Sequence, residues 1–133
     1  MKTKSALLRS TGVLLALLVY IALASLSARA SQGQCGAVDI QPHYGGGGLL
    51  YLELTASPSS CDIYATTSID NPSFPDPSRS GASPIPPTIK VASGSRFYVP
   101  FGHTMCIKAF AYKPLWTQSV NLSSACQHNP EDP

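Results

Sequence analysis

Short runs in which apolar and polar residues alternate recur along the chain after its first thirty residues, separated by Pro and Gly. The strongest run is Thr104–Tyr112, and Leu49–Thr55 is also clear, because Leu50, Leu52 and Leu54 alternate there with polar or aromatic residues. A two-residue period places successive side chains on opposite faces of a β-strand, and this part of the chain lacks the 3.6-residue period of helices. Short strands with turn signals between them are typical of an all-β sandwich or barrel.

The other predicted strands are shorter or less regular. They cover Gln34–Ile40, Cys61–Thr67, Thr88–Val91, Arg96–Val99 and Thr117–Ser124. Four consecutive glycines at residues 45–48 predict a flexible turn before the second strand. The segment Ser68–Pro87 is rich in Pro, Ser, Asp and Gly, and it is long enough to be a functional or mobile loop.

The first thirty residues have the features of an export signal. The basic residues at its start are Lys2, Lys4 and Arg9. An apolar run at residues 13–24 follows, and small residues at Ala28 and Ala30 predict cleavage between Ala30 and Ser31. A membrane anchor is the alternative, but the run is shorter than the roughly 20 apolar residues that a spanning helix needs. The sequence therefore predicts a secreted, periplasmic or cell-envelope protein with no stable membrane span after cleavage.

The predicted organisation is a signal peptide at residues 1–30, one domain at residues 31–126 and a flexible polar tail at residues 127–133. Cleavage changes the charge, because four of the nine basic residues leave with the signal. Five basic and seven acidic residues remain, which gives the mature part a formal net charge of −2. Such a balance lacks the basic stripe that binding to a phosphate backbone requires, so we do not expect a nucleic-acid partner.

All four cysteines, Cys35, Cys61, Cys106 and Cys126, lie in the predicted mature part. An even number in a small exported domain indicates two disulfide bonds, and four cysteines allow three connectivities. A zinc site is the alternative, but no pair has the close spacing of zinc ligands, and the histidines are not at ligand spacing either. The sequence therefore predicts two disulfides and no metal.

Residues that suit catalysis are few. His43, His103 and His128 belong to no nucleophile-elbow pattern, and we interpret them as solvated loop histidines. Three carboxylates flank the long loop, namely Asp62, Asp70 and Asp76. Together they would suit acid–base chemistry or calcium, but they lack the regular ligand spacing of a calcium loop. The residues therefore predict no catalytic site and no cofactor, and we expect the protein not to be an enzyme.

Two segments resemble a known family. Asp62–Ser73 reads DIYATTSIDNPS, and Ile107–Ser119 reads IKAFAYKPLWTQS. Together they are similar to the chitobiase/β-hexosaminidase C-terminal domain, whose members carry an I-Y-Y-T-x-D-G-x-x-P-T strand and turn, then an I-K-A-x-A-x-K-x-G-x-x-x-S strand and hairpin. The resemblance covers roughly residues 49–120, most of the predicted domain. The chain differs at Ala65, Asn71 and Leu115, where the family pattern has Tyr, Gly and Gly.

The resemblance implies a seven-stranded fibronectin-III/Ig-like sandwich that serves as an accessory module. In that family the module accompanies enzymes that act on sugars or other surface polymers, and a separate domain is catalytic. In an Ig-like sandwich the starts of the first and third strands share one end, and the start of the sixth and the end of the seventh share the other. The pairs Cys35–Cys61 and Cys106–Cys126 follow from the resemblance. It also implies that Asp70 shapes a turn through bonds to its own backbone.

An aromatic patch is the candidate ligand site. If the Ile and Ala residues of the two motif strands point inward, the rings between them point outward on neighbouring strands. The predicted patch consists of Tyr64, Phe110, Tyr112 and Trp116, framed by Lys108 and Lys113. Exposed rings with nearby polar groups suit stacking on sugar rings or docking on another protein. The alternative is that the rings pack on one another or lie under the Ser68–Pro87 loop.

The segment Asn121-Leu122-Ser123 is an N-glycosylation sequon, which matters only if the host glycosylates its exported proteins. The first functional hypothesis is a secreted, non-catalytic binding module for carbohydrate or a cell-surface polymer. The second is a protein–protein interaction module, or a structural component of the cell envelope or extracellular matrix, in which the loop or a sheet edge binds a partner.

Overall fold

A computed structural model describes residues 33–130 of the 133-residue chain, and these residues form an all-β fold. The predicted signal peptide and its cleavage site between Ala30 and Ser31 lie outside the described residues. Within residues 33–130, no helix has both the length and the apolar character needed to cross a membrane.

The described residues contain nine strands and one short 3₁₀ helix. The strands are β1 (Asp39–Tyr44), β2 (Leu50–Thr55), β3 (Asp62–Ile69), β4 (Arg79–Ser80), β5 (Ser83–Pro84), β6 (Ile89–Val91), β7 (Ser95–Tyr98), β8 (Thr104–Tyr112) and β9 (Ser123–His128). The 3₁₀ helix, Gly46–Gly48, occupies the predicted glycine turn. Gly48 has a φ of 78°, which is the left-handed conformation that glycine adopts without steric cost.

The strands form two main antiparallel sheets. One has three strands in the order β1-β2-β7, and the other has four strands in the order β6-β3-β8-β9. The two short strands β4 and β5 pair only with each other and form a ribbon within the predicted long loop. The three- and four-stranded sheets therefore carry the fold, and the ribbon is an insertion between β3 and β6.

One hydrophobic core lies between the two main sheets. Leu50, Leu52 and Leu54 of β2 are at most 1% exposed, and they belong to the same buried cluster as Ile63 of β3 and Ile107 of β8. Full burial of one such side chain contributes about 1.5–3 kcal/mol. The alternation in Leu49–Thr55 and Thr104–Tyr112 therefore marks the inward faces of one strand in each sheet.

Two disulfides link the described residues, and their pairing is the one that the resemblance implied. Cys35–Cys61 connects the segment before β1 to the residue before β3, with 6.2 Å between the Cα atoms. Cys106–Cys126 joins directly opposed residues of β8 and β9, with 4.0 Å between the Cα atoms. Because β3 and β8 are antiparallel, the two bridges lie towards opposite ends of the four-stranded sheet.

The first strand differs from its prediction. β1 begins at Asp39, whereas the predicted first strand is Gln34–Ile40. Gln34 instead forms an isolated parallel bridge with Thr117. Cys35, next to it, is held in the core by its disulfide, so these residues approach the sheets without entering β1.

The last strand also differs, and the predicted tail starts too early. β9 spans Ser123–His128, so most of the predicted strand Thr117–Ser124 is a loop. Asn129 follows β9, is only 4% exposed, and donates from its side chain to the carbonyl of Val99 at 2.9 Å. The ordered domain therefore extends beyond residue 126.

Candidate functional site

The predicted aromatic patch lies on the outer face of the four-stranded sheet, but the loop between β3 and β6 covers much of it. Tyr64 of β3 and Phe110 of β8 point away from the core, as the alternation predicts, and are 0% and 4% exposed. Their rings stack on each other with centroids 5.2 Å apart and an angle of 7° between the planes. The alternative in the sequence analysis, in which the rings pack together under the loop, is the arrangement observed.

Hydrogen bonds hold this loop on the sheet. The Tyr64 hydroxyl donates to the carbonyl of Ala82 at 2.9 Å, and the Thr66 hydroxyl donates to the carbonyl of Pro75 at 2.7 Å. Burial raises the pKa of the Tyr64 hydroxyl, and the negative charge of Asp62 adds to the effect. Tyr64 therefore acts as a neutral donor that fixes the loop.

The remaining members on β8 are also engaged within the chain. The guanidinium carbon of Arg79 lies 3.4 Å from the centroid of the Tyr112 ring, at cation–π distance. The ammonium of Lys108 donates to the carbonyl of Phe74 at 2.7 Å and lies 3.1 Å from a carboxylate oxygen of Asp76. These contacts add to the attachment of the loop to the sheet.

The Trp116 side of the predicted patch is only partly accessible. Trp116 packs on the hydrophobic core and closely approaches Gly33, where an added Cβ would lie 2.7 Å from the indole ring. The ammonium of Lys113 lies 4.7 Å from the Trp116 ring and 3.3 Å from the Ser60 hydroxyl. The patch is therefore not one open aromatic face, because Tyr64 and Phe110 are buried while Tyr112 and Trp116 are half-buried.

A different set of rings is exposed on the outer face of the three-stranded sheet. His43 of β1, Tyr51 of β2 and Tyr98 of β7 are directly opposed across the three strands, and we call them the aromatic row. The His43 and Tyr51 rings are stacked with centroids 5.0 Å apart, and the Tyr51 and Tyr98 centroids are 5.6 Å apart. Tyr98 is 55% exposed, so its ring is accessible to a ligand.

Polar side chains lie beside the aromatic row on the same face. Gln41, Glu53 and Arg96 are directly opposed across the same three strands, and we call them the polar row. The guanidinium Nε of Arg96 is 3.5 Å from a carboxylate oxygen of Glu53, and its carbon is 4.8 Å from the Tyr51 centroid. Aromatic rings, a positively charged guanidinium and a negatively charged carboxylate therefore occur together on one open face.

Sequence reasoning missed this set because its members come from three separate strands. The outward orientation of Tyr51 and Glu53 follows from the leucines between which they alternate. His43, however, lies in a strand whose sequence shows no regular alternation, and Tyr98 lies in a short edge strand. Only the register that opposes Tyr51 to both residues brings the row together.

The predicted loop histidines have different locations. His43 and His128 are exposed but lie in β1 and β9, and only His103 lies in a turn. Nδ1 of His103 pairs with one carboxylate oxygen of Asp70. The second carboxylate oxygen of Asp70 accepts a hydrogen bond from the backbone N–H of Thr104 at 2.9 Å. The hydrogen bond from Thr104 is the largest cause of a lowered pKa of the Asp70 carboxyl, and the hydrogen bond with His103 is the next largest.

The Asp70 carboxylate therefore binds His103 and Thr104, which lie just before and at the start of β8. The resemblance implied a bond from Asp70 to its own turn backbone, and the structure has these contacts instead. Asn71 makes a local bond of that kind, because its side-chain oxygen accepts from the N–H of Ser73 at 3.0 Å. Asp76 pairs with Lys108, and no group of three or more metal-binding side chains occurs within residues 33–130. Asn121 of the sequon is exposed in the loop between β8 and β9.

No protein-family model matches the sequence, and no curated protein or solved structure shows significant similarity to it. The residues and their geometry therefore provide the basis for a functional proposal.

Proposed function

We propose that the chain is a secreted, non-catalytic binding module for carbohydrate or a cell-surface polymer. The observation that carries this proposal is the open outer face of the three-stranded sheet, where the aromatic row and the polar row lie side by side. Sugars combine apolar C–H faces, which pack on aromatic rings, with hydroxyl groups that donate and accept hydrogen bonds. Tyr98 would supply the ring, and Arg96 and Glu53 would supply a donor and an acceptor.

The strand order supports a fibronectin-III-like fold, as the resemblance implied. In Ig-like sandwiches the first, second and fifth strands share one sheet, and the third, sixth and seventh strands share the other. The order β1-β2-β7 and the succession β3-β8-β9 agree with this plan if β6 is an additional edge strand next to β3.

A local detail of the β8 hairpin also supports the family resemblance. Leu115 has a φ of 69°, a left-handed conformation that non-glycine residues adopt rarely. The family pattern has Gly at this position, where such a φ carries no steric cost. A left-handed backbone at this position therefore supports the resemblance, although the side chain differs.

Secretion is proposed from the signal pattern together with the two disulfides. Bridges of this kind persist in oxidising compartments, and both form within the described residues. An open face that spans three strands is suited to binding an extended polymer. Adjacent strands are roughly 4.8 Å apart, so the three strands of the row offer successive contacts along such a chain.

The experiment is a glycan array and a pull-down with insoluble polysaccharides, using the mature protein. If a ligand is retained, we expect Tyr98→Ala to weaken its binding about tenfold, equivalent to about 1.4 kcal/mol. The matched control is Tyr44→Ala, because Tyr44 is also exposed but lies outside the row. An unchanged affinity in Tyr98→Ala would remove the row from the proposal. Absence of any glycan binding, with a protein recovered by crosslinking, would favour the interaction-module hypothesis instead.

A further inference from the structure

The two disulfides lie in different environments. Cys35 and Cys61 are each 1% exposed and belong to the hydrophobic core. Cys106 is 3% exposed, but its partner Cys126 is exposed on β9. A thiolate must reach a sulfur atom along the S–S axis to exchange with a disulfide, so access decides which bridge reacts. Of the four cysteines, Cys126 is the exposed one, so its bridge is the more accessible of the two.

Opening Cys106–Cys126 would also be a local event. The two residues are directly opposed in the β8-β9 pairing, which extends from Thr104–His128 at one end to Ala109–Ser123 at the other. Backbone hydrogen bonds on both sides of the bridge would remain after the bond is broken. Opening Cys35–Cys61 would instead place two thiols within the packed core.

A surface depression of about 350 Å³ lies beside the exposed bridge. It is lined by Asp70, Asn71, Pro72, Thr104, Cys106 and Cys126. Volumes of a few hundred Å³ are in the range of small-molecule sites. His128 lies two residues beyond Cys126 and so on the same face of β9, and its Nδ1 is 2.9 Å from the hydroxyl of Thr104. The depression therefore combines both sulfur-bearing residues with polar groups.

We propose that Cys106–Cys126 is a thiol–disulfide exchange site for small thiols, whereas Cys35–Cys61 is structural. The thiolate of a small thiol attacks Sγ of Cys126, the S–S bond breaks, and the electron pair leaves on Sγ of Cys106, which takes a proton from solvent. A second thiolate attacks the sulfur of the bound thiol and releases Cys126 as a thiolate. Two thiols are oxidised to one disulfide, and the bridge is reduced to two cysteines.

The test is differential alkylation of the folded mature protein exposed to reduced glutathione. Samples are quenched over time with an alkylating reagent, and each cysteine is followed by peptide mass spectrometry. We expect Cys106 and Cys126 to be alkylated at least tenfold faster than Cys35 and Cys61, with an unchanged near-ultraviolet circular dichroism signal. Equal rates, earlier reaction of the core bridge, or loss of that signal during selective reduction would overturn the proposal.

A pair of asparagine variants tests the depression itself. Asn71→Trp should fill part of it and slow the reaction with glutathione several-fold. The matched control is Asn121→Trp, which adds the same side chain in the loop between β8 and β9, away from the depression, and should leave the rate unchanged. If Asn71→Trp and Asn121→Trp react alike, the thiol does not enter through the depression, and that part of the proposal is wrong.

Discussion

Truncation of Phe110 tests whether the outer face of the four-stranded sheet is an interior surface or a binding face. Phe110 is 4% exposed and stacks on Tyr64, so Phe110→Ala would leave a cavity between the sheet and the loop. Removal of a buried Phe side chain costs about 3–5 kcal/mol, through lost transfer free energy and an unfilled cavity. We expect about 3–4 kcal/mol here, because the loop forms one wall and can relax partly into the space. An exposed sugar-binding ring would instead cost within about 0.5 kcal/mol of zero.

The assay is urea unfolding of the oxidised mature protein, followed by fluorescence, with the free energy of unfolding extrapolated to water. Thermal unfolding should show a decrease in Tm of roughly 12 °C or more, since each kcal/mol corresponds to about 4–8 °C in a domain of this size. The matched control is Phe101→Ala, because Phe101 is 48% exposed. We expect that control to cost less than about 1 kcal/mol. Equal costs for the two variants would refute the inference that the loop makes this face an interior surface.

Two further predictions concern the end of the domain where the long loop begins. Asp70→Asn should lower the free energy of unfolding near pH 7, and the difference from the natural protein should disappear in strongly acid solution. A carboxyl whose pKa is lowered on folding loses its stabilising contribution as the pH falls through its folded pKa. A difference that is the same in urea titrations under both conditions would contradict this. Asn129→Ala should cost about 1–3 kcal/mol by urea unfolding, since it leaves the buried carbonyl of Val99 without its donor. A change below about 0.5 kcal/mol would mean that the chain is frayed from Gln127, as the sequence predicted.

Local alternation was sufficient where a strand has one face in the core. Leu50, Leu52 and Leu54 specify both the position and the orientation of β2, and Thr104–Tyr112 coincides with β8. These strands are long or central, so their own side chains carry the pattern that burial imposes. The even number of cysteines was similarly sufficient for two disulfides, while their pairing required the resemblance.

Two of the edge strands, β1 and β9, could not be predicted in this way. β1 includes Gln41-Pro42-His43, and β9 reads SSACQH, so neither presents a row of large apolar residues. Their positions follow from pairing with β2 and β8, which is a property of distant parts of the chain. Local periodicity was the basis of the predicted strand Thr117–Ser124, which begins six residues before β9 and covers the loop that precedes it.

The burial of part of the predicted aromatic patch could not be predicted for a related reason. Alternation gave the correct direction for Tyr64 and Phe110, but it carries no information on what covers them. Their burial depends on bonds such as Tyr64 to Ala82, which joins residues 18 positions apart. The aromatic row depends on register in the same way, because Tyr98 meets Tyr51 only through the pairing of β2 with β7.

The two proposed sites lie on opposite outer faces of the sandwich and are expected to act independently. Cys106 precedes Ile107 in β8, and the Ile107 side chain points into the core, so Cys106 lies on the outer side of the four-stranded sheet. Tyr98 lies on the outer side of the three-stranded sheet. The core lies between the two faces, and a densely packed core resists small displacements. Reduction of the exposed bridge should therefore leave ligand affinity at the aromatic row unchanged. A coupled loss of affinity would show that β9 influences the three-stranded sheet, for which the bond from Gln127 of β9 to the Tyr44 hydroxyl of β1, at 2.8 Å, is the available contact.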